Sequence, residues 1–295
     1  MANLKEVKNR ISSVVSTQQI TKAMKMVAAA KLKRAQDRIT MMRPYSNKLS
    51  AILKNVSGAS EGEMNNPYAA ERPLHNVLLV MVTSDKGLCG AFNATVSRKA
   101  QALLNNEYKS LLQKGNVHFM PIGKKAIDYL KRNKFNYDDR FVDLFNPLTF
   151  ENTSAAAEQI MNDFANKKYD KVEIIYNEFK NAATQQIHNE QFLPIERSED
   201  ADGVSSAGND YIFEPSQQYI EEHLIPTSLK TQLFKALLDS NASEHGARMT
   251  AMDKATENAG DLLKELRLTY NRTRQAAITT EILEITAGAE ALAAD

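Results

Sequence analysis

Residues 4–56, LKEVKNRISSVVSTQQITKAMKMVAAAKLKRAQDRITMMRPYSNKLSAILKNV, set the expected architecture of this chain. Seam positions recur along the segment in steps of three and four residues, which is the spacing of the a and d positions of a coiled coil. A helix of this length measures about 80 Å. One compact domain of 295 residues cannot bury it, so we expect the helix to project and to find a partner. The seam positions are Leu4, Val7, Ile11, Val14, Gln18, Thr21, Lys25, Ala28, Leu32, Ala35, Ile39, Met42, Ser46, Leu49, Leu53 and Val56.

The expected partner is the other end of the chain. Residues 216–295 consist largely of good helix formers and carry a seam of their own, which changes phase once. Two terminal helices with complementary seams predict an antiparallel intramolecular pair. Pro44 should kink or interrupt the first helix near Arg43. The C-terminal seam positions are Ala259, Leu263, Leu266 and Tyr270, followed by Ile278, Ile282, Ile285, Ala289 and Leu292.

The middle of the chain alternates between apolar, valine-rich runs and helical stretches. This alternation predicts a parallel sheet with helices on its faces. The predicted parallel strands are residues 76–83, 117–123, 140–145 and 171–179, and residues 184–195 are predicted as an antiparallel edge strand. We therefore divide the chain into an N-terminal coiled-coil helix (1–57), an α/β domain (70–195), an acidic loop and linker (196–215, with a flexible loop at 196–210), and a C-terminal coiled-coil helix (216–295).

Charge is unevenly distributed along a chain whose net charge is only +1. Residues 1–57 contain 12 Lys or Arg and two acids, a net charge of +10, whereas residues 196–222 contain eight acids and one base, a net charge of −7. A basic helix suggests an acidic partner, which could be nucleic acid, an anionic membrane or an acidic protein surface. A solvated lysine face explains the same pattern and stays open. No apolar run reaches the length of a membrane span.

Motifs of catalysis and cofactor binding are missing from the sequence. The strand at 76–83 is followed by a loop with Gly87 and Gly90, but neither the dinucleotide fingerprint nor the phosphate-binding loop is present. We interpret the two glycines as turn residues and Cys89, the single cysteine, as a small buried side chain. The five histidines are scattered, without metal-ligand spacing. The chain is predicted to be a mechanical or interaction protein with no catalytic, cofactor-binding or metal-binding residues.

Four strings of residues resemble the gamma subunit of F-type ATP synthases. They are ISSVVSTQQITKAMKMVAAAKLKRAQ (11–36), TSDKGLCGAFN (83–93), DYIFEP (210–215) and EHGARMTAMDKATENAGDLLKELRLTYNRTRQAAITTEILEITAGAEAL (244–292). The resemblance covers essentially the whole chain. It implies an α/β fold plus coiled coil, in which a long antiparallel coiled coil of the N- and C-terminal helices carries a central Rossmann-like parallel-sheet domain.

The resemblance also implies a function and its partners. In this family the chain is the non-catalytic central-stalk rotor. It turns inside a hexamer of alpha and beta subunits and contacts the epsilon subunit and the ring of c subunits. Rotation couples proton flow to ATP synthesis on the beta subunits and regulates their ATPase activity. Neither a cofactor, nor nucleic acid binding, nor direct insertion into the membrane is expected. The expected location is the cytoplasmic side of a bacterial inner membrane, bound peripherally, although a mature mitochondrial chain stays possible.

Individual residues match positions of known role in the family. The resemblance assigns contact with acidic loops of the beta subunits to Lys22, Met24 and Lys25, and it gives Arg248 a structural role. An apolar bearing formed by neighbouring subunits is expected to cover the tip of the C-terminal helix. The expected contacts with the upper part of the beta subunit are Arg274, Gln275 and Thr279, and the expected bearing residues are Ile278, Ile282, Ile285 and Leu292.

Two functions of other classes stay open at this point. The first is a nucleotide-binding enzyme built on the middle domain, and the second is a basic coiled-coil adaptor for nucleic acid. Tight binding of a nucleotide to residues 70–195 would favour the former. Salt-sensitive binding to DNA would favour the latter.

Overall fold

The computed structural model describes residues 4–58, 67–70, 72–182, 184–195 and 217–293, and it describes residues 47, 50–58, 217–222 and 290–293 by their backbone alone. The predicted acidic loop and linker at 196–215 therefore lies outside the described residues. Within these ranges the chain forms α1 (Leu4–Gly58), β1 (Val77–Val82), α2 (Phe92–Asn106), α3 (Lys109–Gln113), β2 (Val117–Ile122), α4 (Lys124–Arg132), α5 (Phe150–Ala165), β3 (Lys171–Phe179), β4 (Gln185–Leu193) and α6 (Gln217–Ala293).

The chain divides into two compact units. The helical unit comprises Met1–Ala28 and Met249–Asp295, and the sheet unit comprises Ala29–Arg248. Both long helices contribute to both units, because α1 and α6 run through the boundaries between them.

In the helical unit, α1 and α6 pair in opposite directions. The Gln18 side-chain amide donates a hydrogen bond to the carbonyl of Thr256, and the ammonium of Lys25 lies 2.5 Å from a carboxylate oxygen of Asp253. Residue numbers therefore rise along α1 while they fall along α6. The predicted antiparallel pair is confirmed in this unit. The buried apolar side chains of this unit are Val7 and Ala28 on α1 and Met252, Ala259, Leu263 and Leu266 on α6. Burial of each of the larger ones stabilises the fold by about 1.5–3 kcal/mol.

In the sheet unit, the predicted seam of α1 is again the buried face. Leu32, Ala35, Ile39, Ser46 and Leu49 are all buried. The side chains of the last two seam positions, Leu53 and Val56, lie outside the described residues.

Pro44 does not interrupt α1, which runs from Leu4 to Gly58, so the predicted interruption near Arg43 is wrong, while the alternative of a kink there stays a prediction. A proline within a helix removes one backbone hydrogen bond and crowds the preceding turn. The seam positions beyond it, Ser46 and Leu49, remain buried. Tertiary packing of an amphipathic face supplies most of the stability of a helix in a folded protein, and here it outweighs the local cost of the proline.

A four-stranded sheet with the strand order β2-β1-β3-β4 forms the centre of the sheet unit. β1 pairs in parallel with β2 and with β3, and β4 pairs antiparallel with β3. Every residue of β1, VLLVMV, is fully buried, as expected of a strand that is covered on both faces. The predicted parallel sheet with an antiparallel edge strand is confirmed.

One predicted strand, residues 140–145, is instead a series of turns. The chain follows the edge of β2 only loosely there, with hydrogen bonds from the Asp138 amide to the Phe119 carbonyl and from the Gly123 amide to the Val142 carbonyl. The backbone N–H and C=O groups of Phe119 and Gly123 thus point away from β1. The backbone of Pro121 points to the same side, because alternate residues of a strand point their backbone groups to the same side. Pro121 has no N–H to offer a fifth strand, which explains why the ladder does not continue.

We expect Gly123→Ala to destabilise the sheet unit strongly. Gly123 has φ of +94°, and a Cβ there would lie 2.1 Å from the carbonyl oxygen of Thr83 at the end of β1. The clash and the unfavourable φ together should cost about 3 kcal/mol. The matched control is Gly115→Ala, at φ of +76° with no atom within 4 Å of the added Cβ, which should cost only about 1 kcal/mol. Urea unfolding followed by circular dichroism measures both; equal losses would contradict the role of the clash.

A buried carboxylate of α6 lies where four elements of the sheet unit meet. The side chain of Asp239 is only 2% exposed, and a guanidinium nitrogen of Arg43 on α1 lies 3.8 Å from its carboxylate. Burial raises the pKa of Asp239 to about 6, against the opposing effect of Arg43 and Lys235 and with a further contribution from Glu178 on β3 and Glu190 on β4. The folded chain therefore binds this proton more tightly than the unfolded chain does.

This arrangement predicts a pH-dependent stability. The stabilisation from the protonated form is complete below the ordinary pKa of 3.8 and is lost as the pH rises through about 6. At pH 8 the ionised Asp239 should cost about 3 kcal/mol. We expect Asp239→Asn to raise the thermal midpoint at pH 8 by several degrees and to lose this advantage progressively as the pH falls from about 6 to below 3.8. The control is Asp37→Asn, at an exposed position; the same pH-dependent gain in both variants would contradict the assignment to Asp239.

Candidate functional site

The first predicted partner-contact surface lies on α1 in the helical unit. Lys22 is exposed, whereas Met24 and Lys25 are half-buried. The ion pair of Lys25 with Asp253 leaves 40% and 58% of the two side chains exposed, and an exposed pair of this kind contributes about 0–1 kcal/mol. Such a pair can exchange for a contact with another acidic group at little cost. The structure therefore leaves basic groups available along this part of α1.

Sequence reasoning missed an apolar contribution to this same surface. Ile20, Met26 and Val27 are each more than half exposed. The signal was present in the sequence, because all three residues are large apolar side chains at positions outside the predicted seam. Ile20 and Val27, seven positions apart, lie on one face of the helix, whereas Met26 lies about 100° around the helix axis from Val27. The exposed pair Ile20 and Val27 suits contact with another protein.

The second predicted surface is the distal part of α6. Arg274, Gln275 and Thr279, the predicted contacts with the beta subunit, are exposed. The hydroxyl of Thr279 donates a hydrogen bond to the carbonyl of Gln275 within the helix. The remaining two side chains present their polar groups outward, and the contact with a beta subunit stays a prediction.

The predicted bearing residues follow on the same part of α6. Ile278, Ile282 and Ile285 are 49%, 56% and 67% exposed. Their spacing of four and three residues places them on one face of the helix. The side chain of Leu292 lies outside the described residues. An apolar stripe of this kind on a helix is unfavourable in water unless another surface covers it.

The residues of the loop after β1 have structural roles. Cys89 is buried, which raises the pKa of its thiol and disfavours the reactive thiolate. The prediction of a small buried cysteine is confirmed. Gly90 adopts φ of +60°, as a turn glycine does, and Leu88 adopts φ of +64° although it has a side chain. The left-handed conformation at Leu88 cannot be predicted from the sequence, since leucine rarely adopts a positive φ.

The chain's own α6 fills the place where an open parallel sheet would bind a ligand. In such sheets ligands bind beyond the carboxyl ends of the strands, at the point where the strand order reverses. Here this point lies between β1 and β3. Ala247 packs against Cys89 and Phe92 after β1, while Gly246 approaches the backbone of Ala182 after β3. This packing argues against a nucleotide-binding enzyme built on the sheet.

Comparisons with known proteins agree on one family. The family model described as ATP synthase matches residues 3–292. The ATP synthase gamma chain of Cytophaga hutchinsonii is 56% identical over 293 residues, and that of Christiangramia forsetii is 53% identical over 292 residues. Each alignment covers 99% of both chains.

Solved structures give the same result. A chain from the central stalk and c-ring of the Tetrahymena thermophila mitochondrial ATP synthase is 28% identical, with a TM-score of 0.56, and the match covers 80% of this chain and 99% of that one. A chain from the Euglena gracilis mitochondrial ATP synthase in rotational state 3 is 21% identical, with a TM-score of 0.66 and coverage of 98% and 94%. The latter shows the shared fold. Among the described helices, none has the length and hydropathy required to span a membrane.

The close approach at Gly246 predicts opposite effects for two glycine substitutions in α6. Gly246→Ala would place a Cβ 3.0 Å from the carbonyl oxygen and 3.3 Å from the Cα of Ala182. Backbone atoms cannot move aside easily, so we expect a loss of about 1–2 kcal/mol of stability. Gly288→Ala meets no atom within 4 Å and should gain up to about 1 kcal/mol from helix propensity. Thermal unfolding followed by circular dichroism checks both signs; a gain for Gly246→Ala would show that α6 is not held tightly against the turn.

Proposed function

Because this chain belongs to the ATP synthase gamma-chain family, and is thus a non-catalytic stalk subunit of that complex, we propose that it turns as the rotor shaft of an F-type ATP synthase. Its helical unit would lie within the hexamer of alpha and beta subunits. Its sheet unit would contact the epsilon subunit and the ring of c subunits. Proton flow through the membrane sector would drive rotation during synthesis, and ATP hydrolysis would reverse it.

The observation that carries this proposal is the exposed apolar stripe of Ile278, Ile282 and Ile285 on α6. A shaft that turns inside other subunits needs a surface that interacts without direction-dependent bonds, and apolar contacts meet this requirement because hydrophobic burial is non-directional. Leu292 would extend the same bearing. The surrounding subunits would supply the apolar surface that the chain itself does not.

Two lysines, the apolar Met24 between them and a set of polar residues nearer the tip would provide the contacts that are remade at each step of rotation. Lys22, Met24 and Lys25 are proposed to meet acidic loops of the beta subunits, and the exposure of the Lys25–Asp253 ion pair supports this role. Exposed charged contacts are weak enough, at about 0–1 kcal/mol each, to break as the shaft turns. Arg274, Gln275 and Thr279 are proposed to contact the beta subunit nearer the tip, in keeping with their exposed positions.

The cellular location of this subunit is part of the same proposal. This subunit would be bound peripherally, on the cytoplasmic side of a bacterial inner membrane. The high identity to bacterial gamma chains supports a bacterial complex.

A rotation assay tests the proposal. The purified chain, with a bead bound to its sheet unit, is combined with alpha and beta subunits anchored to a surface. We expect ATP-dependent rotation in one direction, together with no ATPase activity of the isolated chain. A complex that assembles and hydrolyses ATP while the bead stays still would contradict the rotor function.

We expect replacement of the bearing residues to weaken assembly without unfolding the chain. In the triple variant Ile278→Ser, Ile282→Ser and Ile285→Ser, each substitution should remove about 1 kcal/mol or more of apolar burial against the hexamer. Affinity for the alpha and beta subunits should fall by about 100-fold, since each 1.4 kcal/mol is a factor of ten. Titration of the labelled chain into the hexamer measures this loss.

The control for the triple variant is Thr280→Ala with Thr286→Ala, two exposed polar positions on the same helix. The control should bind nearly as tightly as wild type. Unchanged binding by the isoleucine variant would exclude these residues from the bearing.

A further inference from the structure

We propose that Arg248 is a positioning residue that fixes the loop after β1 to α6 and thereby transmits torque from the sheet to the helix. This inference rests on the rotor function proposed above. It assigns a mechanical role to a contact that joins residues 161 positions apart in the sequence.

The guanidinium of Arg248 binds two successive carbonyl groups of the loop. One terminal nitrogen donates a hydrogen bond to the carbonyl of Gly87, and the other donates to the carbonyl of Lys86 at 3.1 Å. Hydrogen bonds of a charged donor are directional and stronger than neutral ones. The planar guanidinium reaches both carbonyls at once, which an ammonium group cannot reproduce.

Glu244 holds the guanidinium in place from one helical turn earlier. Its carboxylate lies 2.5 Å from Arg248, and the two side chains are only 12% and 13% exposed. Burial raises the pKa of Glu244, and Arg248 opposes that effect. A buried pair in which each charge satisfies the other has little freedom to rearrange. The side chain of Arg248 is therefore oriented before any force acts on it.

The loop that receives Arg248 is itself held by its own polar side chains. The hydroxyl of Ser84 donates to the carbonyl of Lys86 at 2.7 Å and accepts a hydrogen bond from the Asn93 amide at 2.8 Å. Asp85 accepts hydrogen bonds from the Lys124 amide at the start of α4 and from the Asn146 side chain. A force on this loop therefore passes into β1, α2 and α4 rather than bending the loop.

The location of the contact explains why it matters for torque. Arg248 is the last residue of the sheet unit on α6. The neighbouring contact of Ala247 with Cys89 and Phe92 is apolar, and apolar contacts resist sliding only weakly because they have no preferred direction. The two hydrogen bonds to Lys86 and Gly87 oppose rotation of α6 relative to the loop.

The experiment measures the torsional stiffness of the rotor in the assembled complex. A bead is attached through Lys131→Cys, an exposed position on α4, and its angular fluctuation is recorded while the motor is paused without ATP. The test variant combines Arg248→Met with Glu244→Gln, which removes the contacts to the loop without leaving a buried unpaired charge. We expect the variance of the bead angle to rise about twofold because two charge-assisted hydrogen bonds are lost, while ATP hydrolysis continues.

Two further variants make the result specific. Arg248→Lys keeps the charge but lacks the fork, and it should give an intermediate variance. If the double variant fails to assemble, Arg248→Lys provides the measurement. The matched control is Lys33→Met with Asp37→Asn, an exposed ion pair of the same spacing in the sheet unit, and it should behave as wild type.

The outcomes separate this inference from the rotor function itself. Absence of rotation in the wild-type complex would overturn the rotor function. Normal rotation of wild type, with the same angular variance in wild type, in the double variant and in Arg248→Lys, would overturn the role of Arg248 alone. A lower thermal midpoint without a change in variance would also overturn it, because the residue would then be merely structural.

Discussion

The architecture depends on one constraint, which is that two helices from opposite ends of the chain must cover each other's apolar seam. Each of the helices α1 and α6 depends on the other, because a helix in a protein owes most of its stability to packing. The seam is not uniformly apolar. In the helical unit, Thr21 and Thr256 place their hydroxyls 2.8 Å apart, beside the Lys25–Asp253 ion pair. Polar groups within a seam fix its register at some cost in stability.

How far the sequence predicts this structure depends on the range of the interactions involved. The seam of α1 and the buried strand β1 follow from periodicity and from the unbroken apolar run VLLVMV, and both are local patterns. The predicted interruption at Pro44 does not occur because packing at Ser46 and Leu49 overrides a local rule. The strand predicted at 140–145 failed because Pro121, in a different segment, ends the ladder on that edge.

In the candidate site, too, local patterns can be predicted from the sequence, whereas contacts between distant segments cannot. The exposure of Ile278, Ile282 and Ile285 could be anticipated, since their seam continues beyond the paired part of the helix. The contact of Arg248 with the loop after β1 could not, because no periodicity links Arg248 to Gly87. The filled crevice between β1 and β3 likewise depends on Gly246 and Ala247, which are unremarkable small residues when read in sequence. Tertiary proximity alone gives them their importance.

The pairing of α1 with α6 has a consequence for how the chain is made. Lys25 and Asp253 are separated by 228 residues, so a ribosome adding about 5–20 residues per second needs about 10–45 s to synthesise the partner of an α1 that has already emerged. During this interval the apolar seam of α1 has no covering helix. The two long helices can therefore pair only after translation has passed Asp253, and the rate of translation limits when the stalk can first form.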